Sequence, residues 1–201
     1  MRTDVSTALK GRRLLVAVSG SIAAVKTPLL VSALVKAGAE VRCLVTPSAA
    51  KLVSPLALAT LSRHRCYTED DGWDSSCSRP LHIELAEWAE LVLLAPLSAT
   101  TLSRWSQGSA DGLLASVLLA CECPVLAAIA MNTAMWSHPA VQRNWQVVQT
   151  FPGVVPLMPQ PGLLACDRLG DGRMADPMLI ELAASSLFSR GDAGPVANRD
   201  W

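Results

Sequence analysis

The chain has 201 residues, enough for one sizeable domain with a real core, and its 17 basic and 17 acidic side chains cancel to zero formal charge. Hydrophobic residues make up 51% and charged residues 17%; this suits a compact, heavily buried protein and excludes a broad electrostatic footprint for nucleic acid. No apolar run is long enough to cross a bilayer, and the opening MRTDVSTALKGRR lacks the apolar core of a signal peptide, so the cytoplasm is the expected compartment.

The elements follow in chain order. RLLVAVSG (residues 13–20) reads as a buried strand. Ser21 then has the character of a helix N-cap, and the apolar stretch to Val35 predicts a helix ending at Gly38, bent at Pro28. EVRCLVT (40–46) predicts a second strand, and SAAKLVSPLALATLS a helix broken before Pro55. Residues 67–80 are polar and acidic and read as an exposed, irregular loop. HIELAEWA (82–89) predicts a short helix leading into LVLLAP, the third strand. Residues 98–121 are helical in pattern, interrupted near Gly108 and Gly112. PVLAAIAMN, ending at Asn132, predicts the fourth strand, MWSHPAVQRNWQVVQ a helix, and GVVPLM a fifth strand. A glycine-rich loop, PGLLACDRLGDGR (161–173), precedes a last helix from Pro177 to about Arg190. Residues 1–11 read as an N-terminal extension, 12–190 as one domain and 191–201 as a flexible tail.

Regular alternation of strand and helix predicts a single three-layer α/β/α domain, a doubly wound parallel sheet covered on both faces. Ligands in such folds bind beyond the carboxyl ends of the strands, so the informative residues stand just after each strand.

Six cysteines are present, none in a C-x-x-C pair, and Cys121 and Cys123 flank one residue with no nearby histidine. That is poor zinc spacing, and no metal is expected. Cys166 is different, because it sits alone in the glycine-rich loop.

After the first strand stands SGSIAA. Gly20 permits a tight turn, and backbone N–H groups at Ser21 and Ile22 can hold a phosphate at a helix N-terminus, although an ordinary βα turn has the same composition. The stretch lacks G-x-G-x-x-G, and the second strand closes on Thr46 rather than an acidic residue, which disfavours a dinucleotide. The third strand is followed by Ser98, Ala99, Thr100 and Thr101, the fourth by Met131 and Asn132. Small hydroxyl and amide residues without a charge cluster suit a neutral, hydrogen-bonding ring system. His82 opens the short helix before the third strand; a structural role fits it as well as a catalytic one.

Taken together, SGSIAA, HIELAEWAELVLLAP, AMNTAMW and LACDRLGDGRM resemble the flavin-dependent cysteine decarboxylases. The resemblance spans residues 12–177 and implies a Rossmann- or flavodoxin-like domain that binds FMN. It implies a lyase acting on 4'-phospho-N-pantothenoylcysteine, giving 4'-phosphopantetheine in coenzyme A biosynthesis. It implies trimers or dodecamers with active sites between subunits, and a ligase of the same pathway that the family often carries fused downstream, a separate ligase chain being left open here. His82, Asn132 and Cys166 match the family's catalytic histidine, substrate-binding asparagine and loop cysteine. The resemblance gives His82 the substrate thiol, Asn132 with Met131 the substrate carboxylate, and Cys166 a proton to donate. Gly20, Ser21, Ile22, Thr46, Ser98, Ala99 and Thr100 are the expected FMN contacts. Arg173 fits three roles equally: anchoring the loop, reaching a substrate phosphate, or a surface ion pair. Asp167 stands where the family has glycine, Ile129 where it has proline, and PLSATT departs from the family's third-strand motif.

Two alternatives share this pattern. A decarboxylase of C-terminal cysteines in peptide maturation would use the same flavin, histidine and asparagine. A non-catalytic flavoprotein that regulates a partner would keep the fold but tolerate loss of His82, Asn132 or Cys166.

Overall fold

The computed structural model describes residues 8–75, 78–163 and 169–191. Six parallel strands form one sheet: β1 (Arg13–Val18), β2 (Glu40–Val45), β3 (Cys66–Tyr67), β4 (Leu91–Leu97), β5 (Val125–Ile129) and β6 (Val154–Leu157). Their spatial order is β3-β2-β1-β4-β5-β6. The first connections run outward to one side of β1 and the later ones to the other, which is the doubly wound arrangement expected.

Successive side chains of β1 point to opposite faces and join different cores. Leu14, Val16 and Val18 pack with α1 (Thr27–Lys36), α2 (Pro55–Ser62) and α8 (Pro177–Arg190). Leu15 and Ala17 pack with α3 (Leu81–Trp88), α4 (Ala99–Ser106), α5 (Leu113–Ala120) and α7 (Pro139–Gln149). Every residue of β4 is buried, as a central strand covered on both faces requires. Glu90 ties the lower ends of two strands together: its carboxylate accepts from Arg13 N (2.9 Å) and from Arg12 Nη1 (3.0 Å).

Several local details differ from the sequence reading. Pro28 does not bend a helix. It lies in the first turn of α1, where its missing N–H has no helical partner to lose, and residues Ile22–Lys26 form a separate 3₁₀ segment before it. The acidic loop contains a two-residue strand, β3, and a 3₁₀ turn at Glu69–Trp73. The Glu69 carboxylate accepts from Leu113 N (2.9 Å), so this loop caps α5. Packing also begins before Arg12, because Leu9 is fully buried.

The glycine-rich stretch is a hairpin outside the main sheet. Strand β7 (Gln160–Leu163) pairs antiparallel with β8 (Leu169–Arg173). Cys166 and Asp167 lie outside the described residues.

Candidate active site

Strands β1, β4 and β5 lie side by side, and the turns that leave them border one cavity of about 670 Å³. The cavity sits where the winding reverses, between β1 and β4. Gly20, Ser21 and Ile22 form one wall, Ser98, Ala99 and Thr100 the second, and Met131 and Asn132 the third, with Arg173 from β8 closing it.

Ser19 links the first two walls. It is fully buried; its hydroxyl donates to Pro96 O (2.7 Å) and accepts from Ser98 N (2.8 Å). Gly20 is dictated by close approach: a Cβ there would stand 2.5 Å from Ser48 Cβ. The hydroxyls of Ser21 and Ser98 cap the helical segments that start at their turns, accepting from Ala23 N and Thr101 N (both 3.4 Å). Two sets of helix-start N–H groups therefore border one cavity, which favours an anion.

Asn132 caps α6 (Thr133–Trp136), its Oδ1 accepting from Ala134 N (2.8 Å). That bond fixes the amide plane and assigns its nitrogen, with two donors, to the opposite edge. Lys26 and Arg173 also border the cavity and share Asp176, at 3.4 and 3.9 Å. The remaining surface is largely apolar, from Ile22, Val25, Met131, Met135 and Met174.

Two expected site residues are not on this wall. Thr46 closes β2 and accepts from Ala49 N (3.2 Å), holding the turn whose Ser48 abuts Gly20. His82 is half-buried in the first turn of α3. Sequence reasoning missed Ser19, Lys26, Met135 and Met174. Lys26 carried a signal: it ends the 3₁₀ segment that begins at Ser21, within reach of the same turn.

Three other cysteines are chemically quiet. Burial raises Cys43, and burial with the nearby Asp71 pushes Cys66 up to about 12. The contact with Cys121, whose Sγ is 3.1 Å away, and burial raise Cys123. Thiols so shielded supply no thiolate at neutral pH.

A family profile described as Flavoprotein matches residues 2–183. The chain belongs to the flavoprotein family. Within it, the coenzyme A biosynthesis bifunctional protein CoaBC of Bacillus subtilis is 40% identical over 191 residues, covering 95% of this chain and 47% of that protein. The chain thus spans about half the length of such bifunctional relatives. A probable phosphopantothenoylcysteine decarboxylase of Streptococcus mutans is 40% identical over 171 residues, 82% of this chain and 92% of that one. Among solved structures, a PPC decarboxylase mutant complexed with pantothenoylaminoethenethiol superposes with a TM-score of 0.82 at 35% identity, over 90% of this chain and all of that one. The FMN binding protein AtHal3 superposes at 0.79 with 36% identity, over 90% and 98%. The doubly wound α/β fold read from the alternating pattern is the fold observed, and the flavoprotein resemblance agrees with the family.

Proposed function

We propose that this flavoprotein is an FMN-dependent lyase that decarboxylates 4'-phospho-N-pantothenoylcysteine to 4'-phosphopantetheine. The observation that carries the reading is the join of two halves in one cavity: helix-start N–H groups fit for a phosphate, and an asparagine amide fixed to present donors. Relatives named for this decarboxylation support it.

The cavity fits a flavin mononucleotide. Its apolar wall suits a flat ring, the turns at Gly20–Ile22 and Ser98–Thr100 offer N–H donors to a phosphate, and Ser48 leaves no room for a side chain at position 20. The flavin would supply a temporary two-electron sink, which an unactivated cysteine carboxylate needs before its carbon–carbon bond can break.

The protein's share is to bind, orient and move protons. Asn132 holds the substrate carboxylate through its amide N–H groups. Lys26 and Arg173, drawn together by Asp176, meet a phosphate. Thr46 acts through the turn that abuts Gly20. Cys166 gives a proton to the product carbon, which calls for a thiol rather than a thiolate. His82 receives or orients the substrate thiol, in a site completed by a neighbouring protomer. Exposed Ile22, Val25, Leu29 and Met178 support such an assembly, a homotrimer or a dodecamer of trimers, since lone proteins seldom leave so many large apolar side chains in water. The enzyme works in the cytoplasm, on a small molecule rather than nucleic acid or membrane, with the ligase of the same pathway as a functional partner. Among the described residues, no helix is long and apolar enough to cross a membrane.

The test is an absorption spectrum of the purified protein followed by substrate. A flavin band and CO₂ release from phosphopantothenoylcysteine are expected. A colourless protein that stays so in excess FMN refutes the proposal. Flavin bound without CO₂ release would favour a regulatory protein, and turnover only of peptides ending in cysteine would favour peptide maturation.

A further inference from the structure

We propose that β8 is a buttress that sets the position of Asn132, with Gly170, Gly172 and Thr133 as its positioning residues. The inference rests on the role proposed for Asn132. Residues 131 and 133, on either side of that asparagine, are each pressed by one glycine of β8. Met131 N donates to Gly172 O (3.0 Å), and a Cβ on Gly172 would overlap the Met131 carbonyl oxygen. A Cβ on Gly170 would overlap Thr133 Oγ1 and stand 3.1 Å from Thr133 Cγ2 and 3.3 Å from its Cβ. The two glycines are two apart on one strand, so they share a face, and that face lies on the Asn132 turn.

Stability alone does not account for this contact. Thr133 Oγ1 is buried and, among the described residues, has no hydrogen-bond partner. A buried hydroxyl left unpaired weakens the fold, and an apolar side chain of the same shape would serve packing better. The hairpin also lies outside the six-stranded sheet, so its grip on residues 131–133 adds no strand to that sheet. What the grip does fix is the backbone that carries the asparagine amide. Asn132 is held from below by the Ala134 N–H and from the side by β8. Its donors therefore meet a carboxylate already aligned.

The contact can be broken and restored by size. Gly170→Ala drives a methyl group into Thr133, and Gly170→Ala with Thr133→Ala removes the atoms it strikes first. In the flavin-loaded protein, Gly170→Ala is expected to raise KM for phosphopantothenoylcysteine about tenfold, with kcat less affected and FMN affinity unchanged within about twofold. The double variant is expected to return KM toward the wild-type value. Hydrogen exchange at the Met131 amide, measured on the same proteins, is expected to quicken in the single variant and slow again in the double.

A Gly170→Ala protein with wild-type KM overturns the proposal. So does a double variant with no recovery, or an FMN affinity that falls in step with KM. Faster exchange with unchanged KM shows a contact that does not position the asparagine, and overturns it too. A wild-type protein that releases no CO₂ overturns the function on which the buttress depends, and the exchange measurement then judges the contact alone.

Discussion

Ser19→Ala tests the link between β1 and β4. The substitution removes one oxygen from a fully buried site. Ser98 N–H loses its 2.8 Å acceptor, and Pro96 O loses its 2.7 Å donor while keeping a 3.2 Å bond from Ser19 N. A buried donor left unpaired costs about 1–3 kcal/mol, and loss of one of two bonds to a carbonyl about 1 kcal/mol more. The sum is about 2–4 kcal/mol, which for a domain of this size lowers Tm by about 4–16 °C. Because Ser98 also caps α4 beside the cavity, FMN affinity should fall with it. Thermal denaturation of the flavin-free protein and a flavin fluorescence titration read the two effects. Ser186→Ala is the control, since its hydroxyl bonds only along an exposed helix face to Leu182 O, and surface changes of that kind stay within about 0.5 kcal/mol. A Ser19→Ala protein that melts with the control refutes the argument that this hydroxyl bridges the strand ends.

Gly20→Ala should lower FMN affinity about tenfold, because a Cβ 2.5 Å from Ser48 Cβ must push the two turns apart; Ser48→Gly in the same chain should restore much of it in the same titration. Glu69→Ala should destabilise the fold by about 0.5–2 kcal/mol by stripping Leu113 N of its cap, read as a lower denaturant midpoint with an unchanged slope. Stability should fall as pH rises above about 9, where the unfolded chain sheds thiol protons that the folded chain still holds on Cys43 and Cys66. The unfolded state then binds fewer protons, so each such thiol removes up to about 1.4 kcal/mol per pH unit, until Cys66 itself titrates near 12. Cys66→Ala should flatten that slope in alkaline melts.

Five of the six strands of the central sheet were readable because each is a short, largely apolar run, closed by a residue that cannot continue it. The strand ends were readable for the same reason, and they placed Gly20, Ser98 and Asn132 on one cavity. The misses have physical causes. Pro28 has the same local sequence whether it bends a helix or begins one, and only the 3₁₀ segment before it decides. Strand β3 is two residues held by its neighbour rather than by its own propensity. Strands β7 and β8 carry glycine and proline, which depress strand propensity, and pair through their backbones. Ser19 reads as an ordinary turn residue, because what makes it matter, Pro96 and Ser98, lies nearly eighty residues away. Thr46 and His82 stand at strand and helix ends as the pattern demands, but a strand end does not say which way its side chain serves.

The two margins of the sheet are unusually poor templates. One is β3, with two residues, and the other is β6, four residues interrupted by Pro156, which has no amide hydrogen to offer. Neither is a good template for a stray strand, so the six-stranded sheet, rich in aliphatic β-formers, is guarded against edge-to-edge pairing. Copies that meet on the flanks of this sheet do so through helices, where side chains rather than main chains decide who fits.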